Sequence, residues 1–382
     1  GKIISKARNE AMKSKALGML ILSGLLMGAV PSWQADIGLS TFAEASEKTI
    51  SAVVDSNTYQ TAGNVYPTIG AALQGLKSQP ADNYVLVVKP GVYREKIIVD
   101  IPNLTLQGEN AANTMIVWND AEGTPLRNGD VNGTKTTYTM ECATTKITTA
   151  ATNFQAVNIT FANDFPTEAV RADKSMKAVQ AFAITNEADK SSFYNCNFLG
   201  RQDTLYANAG RQYYKDCYIE GDVDFIFGQA EAAVFDNCEI KSLMRKVAED
   251  GSAHSTGYIT APSTLAADKG FLFYKCHLTS DIETPHYALL GRPWHPSSET
   301  REVNSAAAFV KCQIDTPMKA KAWNSMKNKF GVFQPEDNRL FEYQNTGSGA
   351  LTGGNRRQLS NEQASDYLPE KFLGDFKPVK RV

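Results

Sequence analysis

The sequence predicts a right-handed parallel β-helix, and three observations carry that prediction. Five of the six cysteines occupy one position of a recurring motif, aromatic-x-x-Cys-x-apolar. The first three copies, around Cys196, Cys217 and Cys238, are spaced 21 residues apart. Within each copy the cysteine and the next apolar residue alternate with period two, which points both side chains to one face of a strand. Short strands repeating at a fixed period of 20–25 residues, with little helical pattern between them, define a solenoid of β-coils. Leucine-rich repeats share this period, but their leucine ladder is missing. A sandwich would not keep a fixed register. The right hand follows from the handedness of parallel crossovers.

The elements follow in chain order. Met12-Lys13-Ser14-Lys15 precedes an apolar run from Ala16 to Val30. A basic stretch followed by about 15 apolar residues reads as an export signal, too short for a comfortable membrane span. A buried helix or a retained anchor is the alternative. Cleavage near Ala43-Glu44-Ala45 or near Gln34-Ala35 stays open. Residues 1–45 are therefore set apart, and 46–382 are expected to form one catalytic domain. Ile69, Ala72, Leu73 and Leu76 recur at helical spacing and suit a helix that plugs the N-terminal end. The repeats follow: Phe193 to Phe198, Tyr214 to Ile219, Phe235 to Ile240, Phe273 to Leu278 and Phe309 to Ile314. Phe154 to Ile159 is read as an earlier copy with Val157 at the cysteine position. The larger gaps of 38 and 36 residues, from Cys238 to Cys276 and on to Cys312, imply inserted loops. Such loops tend to gather on one face and build a binding site. Ser360-Asn361-Glu362-Gln363 starts a short C-terminal helix with a capping box.

With 382 residues, 42% of them hydrophobic, the chain can build a continuous core. A net charge of −2 removes the electrostatic case for a nucleic-acid partner. No segment after the first apolar run is long enough to span a membrane.

The 21-residue step that relates the cysteines also carries Asp203 onto Asp224. Residues one period apart lie about 4.8 Å apart in a coil stack. The sequence therefore sets two carboxylates side by side, one in Gln202-Asp203-Thr204-Leu205 and one in Val223-Asp224-Phe225-Ile226-Phe227-Gly228. Adjacent acids share a proton unequally, which supplies a protonated acid beside an ionised nucleophile. An exposed aspartate ladder or a calcium site is the bland reading. The apolar flank Phe225-Ile226-Phe227 weighs against it, and so does apolar Val223 opposite Gln202, which leaves no repeated polar rung. Spacing alone also suits a retaining glycosidase. No G-x-S-x-G occurs, so a serine hydrolase is disfavoured.

Five ordered blocks narrow the choice: Gly91-Val92-Tyr93-Arg94-Glu95, Gln180-Ala181-Phe182-Ala183, Gln202-Asp203-Thr204-Leu205, Asp224-Phe225-Ile226-Phe227-Gly228 and Leu290-Gly291-Arg292-Pro293-Trp294. Together they resemble the pectin methylesterases, closest to their bacterial secreted branch, from about Val53 to Phe376. Tyr258 to Ser263 and Phe341-Glu342-Tyr343 resemble that branch too. Phe182 departs from the family, which has a small aliphatic residue there. The resemblance implies a pectin-lyase-like solenoid that removes methyl esters from C6 of galacturonosyl units and releases methanol. It makes Asp224 the nucleophile, Asp203 the general acid and base, Gln180 and Gln202 the oxyanion donors, and Arg292 the partner that orients Asp224. Trp294 would lie under a sugar ring, with Tyr206 and Phe227 walling the cleft. Thr134, Arg245, Ser297 and Met326 align with further groove positions. No cofactor or metal is needed. A secreted monomer acting on methyl-esterified homogalacturonan is expected, with the periplasm as the alternative location.

The rivals are another β-helix pectin enzyme, either a lyase or a polygalacturonase, and a non-catalytic adhesive solenoid. At most one disulfide is expected, involving Cys217. The resemblance favours Cys238 as its partner, and Cys196 competes. Cys142, Cys276 and Cys312 lack a partner one repeat away in the sequence and are expected free.

Overall fold

Each repeat closes one coil by the same local route. In one coil, Arg211–Lys215 ends at Asp216, whose φ of 53° lies in the left-handed region. The chain then enters Tyr218–Gly221, turns again through Asp222 to Asp224, and runs along Ile226–Gly228 before the next coil begins at Ala232. Asparagine and aspartate tolerate the left-handed region because their short polar side chains bond locally. Asn195, Asp216 and Asn237 fill that corner, and Lys275 and Lys311 continue it. The computed structural model describes residues 45–124, 141–176, 178–246 and 256–382. The proposed export segment therefore lies almost wholly outside the described residues. Glu47–Val382 cluster as one unit.

Stacking these coils produces three parallel sheets of 11, 8 and 7 strands among the described residues. Registers step from coil to coil without slippage, as in Tyr214↔Phe235↔Phe273↔Phe309. The interior consequence is a ladder of rings. Phe193, Tyr214, Phe235, Phe273 and Phe309 stack in sequence, with centroids 4.8, 4.7, 4.9 and 4.3 Å apart and planes within 14° of parallel. All five are essentially fully buried. Offset stacking adds about 0.5–1.5 kcal/mol per pair to the hydrophobic gain of burial.

Beside the rings runs a ladder of five thiols. The registers Glu239↔His277 and His277↔Gln313 bring Cys238, Cys276 and Cys312 onto successive rungs. Cys276 and Cys312 therefore do have neighbours one coil away, contrary to the sequence reading. The strands on either side of the longer gaps stay in register. The expected Cys217 disulfide is absent too: all six cysteines are free and buried. In-register side chains run parallel at about the 4.8 Å coil spacing, wider than the Cβ separation of about 3.8 Å that a disulfide prefers. Four thiols of the ladder instead lie within bonding distance of a carbonyl of the preceding coil, Cys217 of Phe193 at 3.5 Å, Cys238 of Tyr214 at 3.4 Å, Cys276 of Phe235 at 3.1 Å and Cys312 of Phe273 at 3.3 Å, while Cys196 donates to Tyr194 O in its own coil at 3.5 Å.

The early repeat copy sits two residues off the register its motif suggests. Ala156 pairs with Phe193 and Val157 with Tyr194, so Ile159, not Val157, occupies the cysteine rung. A slip of two residues preserves the inward face, so alternation alone could not detect it.

The ends are managed by helices. The first, α1 (Ile69–Lys77), buries Ile69, Ala72, Leu73 and Leu76 in the core at the N-terminal end. Its first two amides donate to both oxygens of Glu95 at 2.9 Å, and Thr68 caps it. The Glu95 block is thus a helix-capping device. The C-terminal helix at Asn361–Ala364 has the expected capping box. It and Pro369–Leu373 border an apolar cluster on the outer face of the 11-stranded sheet, with Ala232, Val234, Leu272, Ala308 and Val310. That sheet is apolar on both faces and needs the cover.

Candidate active site

The turn into the 7-stranded sheet positions the two carboxylates. Asp203 and Asp224 both adopt left-handed φ, 62° and 48°, on adjacent coils. The bridge Gln202↔Val223 and the bond from the Asp203 amide to Val223 O at 3.0 Å fix them in register. Phe225 is fully buried just after Asp224 and anchors the turn from inside.

Arg292 reaches Asp224 from two coils further on. Its Nε donates to Oδ1 at 2.9 Å and its Nη2 to Oδ2 at 2.6 Å, a bidentate grip that fixes the carboxylate plane. The guanidinium also lies 4.2 Å from the centroid of the Tyr258 ring. Burial opposes the charge on Arg292, but Asp224 outweighs it and holds the guanidinium protonated above its ordinary value. Gly291 is required just before it: a Cβ there would sit 2.3 Å from Thr260 O.

Two amides face the same cleft. Gln202 is 4% exposed, and its Oε1 accepts from Arg171 Nη2 at 2.9 Å. Arginine can only donate, so this contact fixes the amide with its NH2 group directed away from Arg171. Gln180 has a buried Oε1 without a partner, which leaves its Nε2 as the end open to the cleft. Neither amide nitrogen meets a protein acceptor among the described residues. Arg171 is itself held by Asp222, at 2.6 and 3.1 Å, and by Glu168 at 2.8 Å. Arg201 adds a bond to Asp222 at 3.2 Å.

A cleft of about 360 Å³ brings together Gln180, Gln202, Asp203, Asp224, Arg292 and Trp294, with Phe227, Met326, Ala261 and Glu122 completing its wall. Other sequence candidates fall elsewhere. Tyr206 is 7% exposed and packs beneath the cleft, 4.3 Å from Phe227 between ring centroids and 5.5 Å from Phe182. It supports the wall and does not form it. Phe182 is fully buried in this aromatic cluster, so the departure from the family is one of packing. Arg245 is 8% exposed, and its guanidinium donates to Thr256 O at 3.3 Å. Ser297 is half-buried. Neither lines the cleft. Thr134 lies outside the described residues. Sequence reasoning missed Glu122 and Arg171. The only trace of Arg171 was its i,i+3 spacing from Glu168 on the helix Thr167–Asp173.

A parallel β-helix whose cleft joins two adjacent carboxylates, an arginine clamp and two amide donors defines an aspartate-dependent ester hydrolase more closely than a glycosidase, which has no use for paired amide donors. The comparisons agree with that class. The Pectinesterase family model matches residues 55–375, and the chain belongs to this family. It is 34% identical to Pectinesterase A of Dickeya chrysanthemi, over 90% of this chain and 96% of that protein. Among solved structures it resembles the pectin methylesterase of Erwinia chrysanthemi, with a TM-score of 0.75, 33% identity, and 86% and 98% of the two chains covered. It also resembles the pectin methylesterase of Yersinia enterocolitica, with a TM-score of 0.71, 35% identity, and 81% and 99% covered.

Proposed function

We propose that this enzyme removes methyl esters from C6 of galacturonosyl units in pectin, with Asp224 as nucleophile and Asp203 as general acid and base. An ionised Asp224 oxygen attacks the ester carbonyl carbon, and the developing oxyanion is met by the Nε2 groups of Gln180 and Gln202. Asp203 gives its proton to the departing methoxy oxygen, so methanol leaves and an acyl-enzyme anhydride remains. Water then adds to the same carbonyl carbon while Asp203 takes back a proton. Collapse frees the galacturonate carboxyl group and restores Asp224. Arg292 keeps the Asp224 carboxylate aimed throughout. Trp294 offers an aromatic face to the C–H side of a sugar ring, with Phe227 and Met326 beside it.

The observation that carries this reading is the asymmetry of the pair. Asp224 takes both side-chain bonds that Arg292 donates, in a bidentate clamp, while Asp203 sits one coil away in the same cleft. The fixed orientation of the Gln202 amide supports an oxyanion role. An exported monomer suits a polymeric cell-wall substrate, and the apolar run at Ala16–Val30 supports export. The test is product analysis on methyl-esterified pectin. Methanol without new reducing ends or unsaturated products supports an esterase. Chain cleavage of either kind would replace it with a polygalacturonase or a lyase.

A further inference from the structure

We propose that Glu122 is a specificity-determining residue, a third carboxyl group in the cleft that disfavours an already de-esterified galacturonate unit next to the reacting ester. The inference rests on the pectin esterase reading above and goes beyond it in assigning selectivity to one side chain. Glu122 lines the same cleft as Asp203 and Asp224 and is only 6% exposed. Its backbone amide donates to Gln180 O at 2.8 Å, which places it one coil from the oxyanion donor. The turn that carries it is built. The Ala121 amide donates to Thr124 Oγ1 at 3.0 Å, the Thr124 amide to Ala121 O at 2.9 Å, and Asn163 Nδ2 to Asp120 O at 2.8 Å.

The Glu122 carboxyl nevertheless has no hydrogen bond or ion pair among the described residues. A buried acid held in place by its backbone and left without a partner is costly unless it is neutral or meets a ligand. Among the described residues, the surrounding charged and titratable groups are Asp203, Asp224 and Arg292 in the cleft, Cys142 and Tyr206 beside it, and the Lys96–Asp120 ion pair at 2.9 Å. Arg292 is committed to Asp224 and Lys96 to Asp120, so among the described residues of the cleft no cation is left over for Glu122. Burial raises its pKa from 4.5 to about 7.

The consequence is a selectivity that changes with pH. Below neutrality the neutral carboxyl accepts or donates a hydrogen bond to a sugar hydroxyl and tolerates either form of the neighbouring unit. Above it, the carboxylate repels a galacturonate anion but not a methyl ester. The experiment compares kcat/KM on highly methylated pectin and on a partly de-esterified pectin from pH 5 to 9, for the wild type, Glu122→Gln and Glu122→Ala. Taking the ratio of the two substrates cancels the titration of groups common to both. The ratio for the wild type should rise about tenfold through neutrality, the factor set by one like-charge contact of about 1.4 kcal/mol. Both variants should hold it flat. A wild-type ratio independent of pH, or an unchanged pH dependence in a folded Glu122→Gln protein, would overturn the proposal. Absence of methanol release by the wild type from either polymer would instead sink the esterase reading itself.

Discussion

Replacing Gln202 with alanine isolates one oxyanion donor from the rest of the site. The structural cost is bounded. Arg171 Nη2 loses its 2.9 Å contact with Gln202 but keeps Asp222 Oδ1, and Nη1 keeps Asp222 and Glu168. One buried hydrogen bond lost from a charged donor that keeps other acceptors costs about 1–3 kcal/mol, well short of unfolding a domain of this size. The catalytic cost is larger. Loss of one positioned donor to a tetrahedral oxyanion removes about 2.7–4 kcal/mol of transition-state stabilisation, or about 10²–10³ in kcat. Little of it should appear in KM, because the ground-state carbonyl makes weaker use of the donor. Initial rates of methanol release over a range of pectin concentrations separate the two constants, and circular dichroism checks the fold. A change confined to KM would make Gln202 a substrate-binding residue and refute its assignment.

Four further outcomes follow from the same geometry. Asp203→Asn should fold normally and lose almost all methanol release; substantial residual activity would remove it as the acid and base. Phe273→Ala leaves a gap between rings at 4.9 and 4.3 Å and should lower stability by about 3–5 kcal/mol in denaturant titration. No thiol should react with an alkylating reagent in the folded protein without reductant, because burial pushes the Cys196, Cys217, Cys238 and Cys276 thiols well up, and all six should react after unfolding. For Glu122 the folded pKa is raised, so the folded state holds the extra proton between pH 4.5 and about 7, and stability falls as pH rises through that window. Glu122→Gln should therefore raise Tm at pH 8 and leave it nearly unchanged at pH 5; equal shifts at both would contradict the ionisation.

Much of this architecture was written in the repeat. Five cysteines on one repeat position revealed the coil, and the 21-residue step alone placed Asp203 beside Asp224. What the pattern missed has physical causes. Loops do not disturb a stacked register, so the gaps before Cys276 and Cys312 hid two rungs of an unbroken ladder. Parity repeats every two residues, so Val157 could be mistaken for Ile159. Proximity along the chain is not proximity to the cleft: Tyr206 follows Asp203 closely yet packs under Phe227, and Arg245 turns to Thr256. Glu122 and Arg171 lie off the repeating rungs, and only the folded turn and helix bring them to Gln180 and Gln202.

The central claim is that Asp224, clamped by Arg292, is the attacking group. It is tested most directly by methanol release from Asp224→Asn measured beside the wild type, with matched circular dichroism and Tm. The amide keeps the size of the side chain but removes the nucleophilic charge. The account predicts a folded protein with release reduced to a trace. A folded Asp224→Asn enzyme that keeps a sizeable share of wild-type release would contradict it.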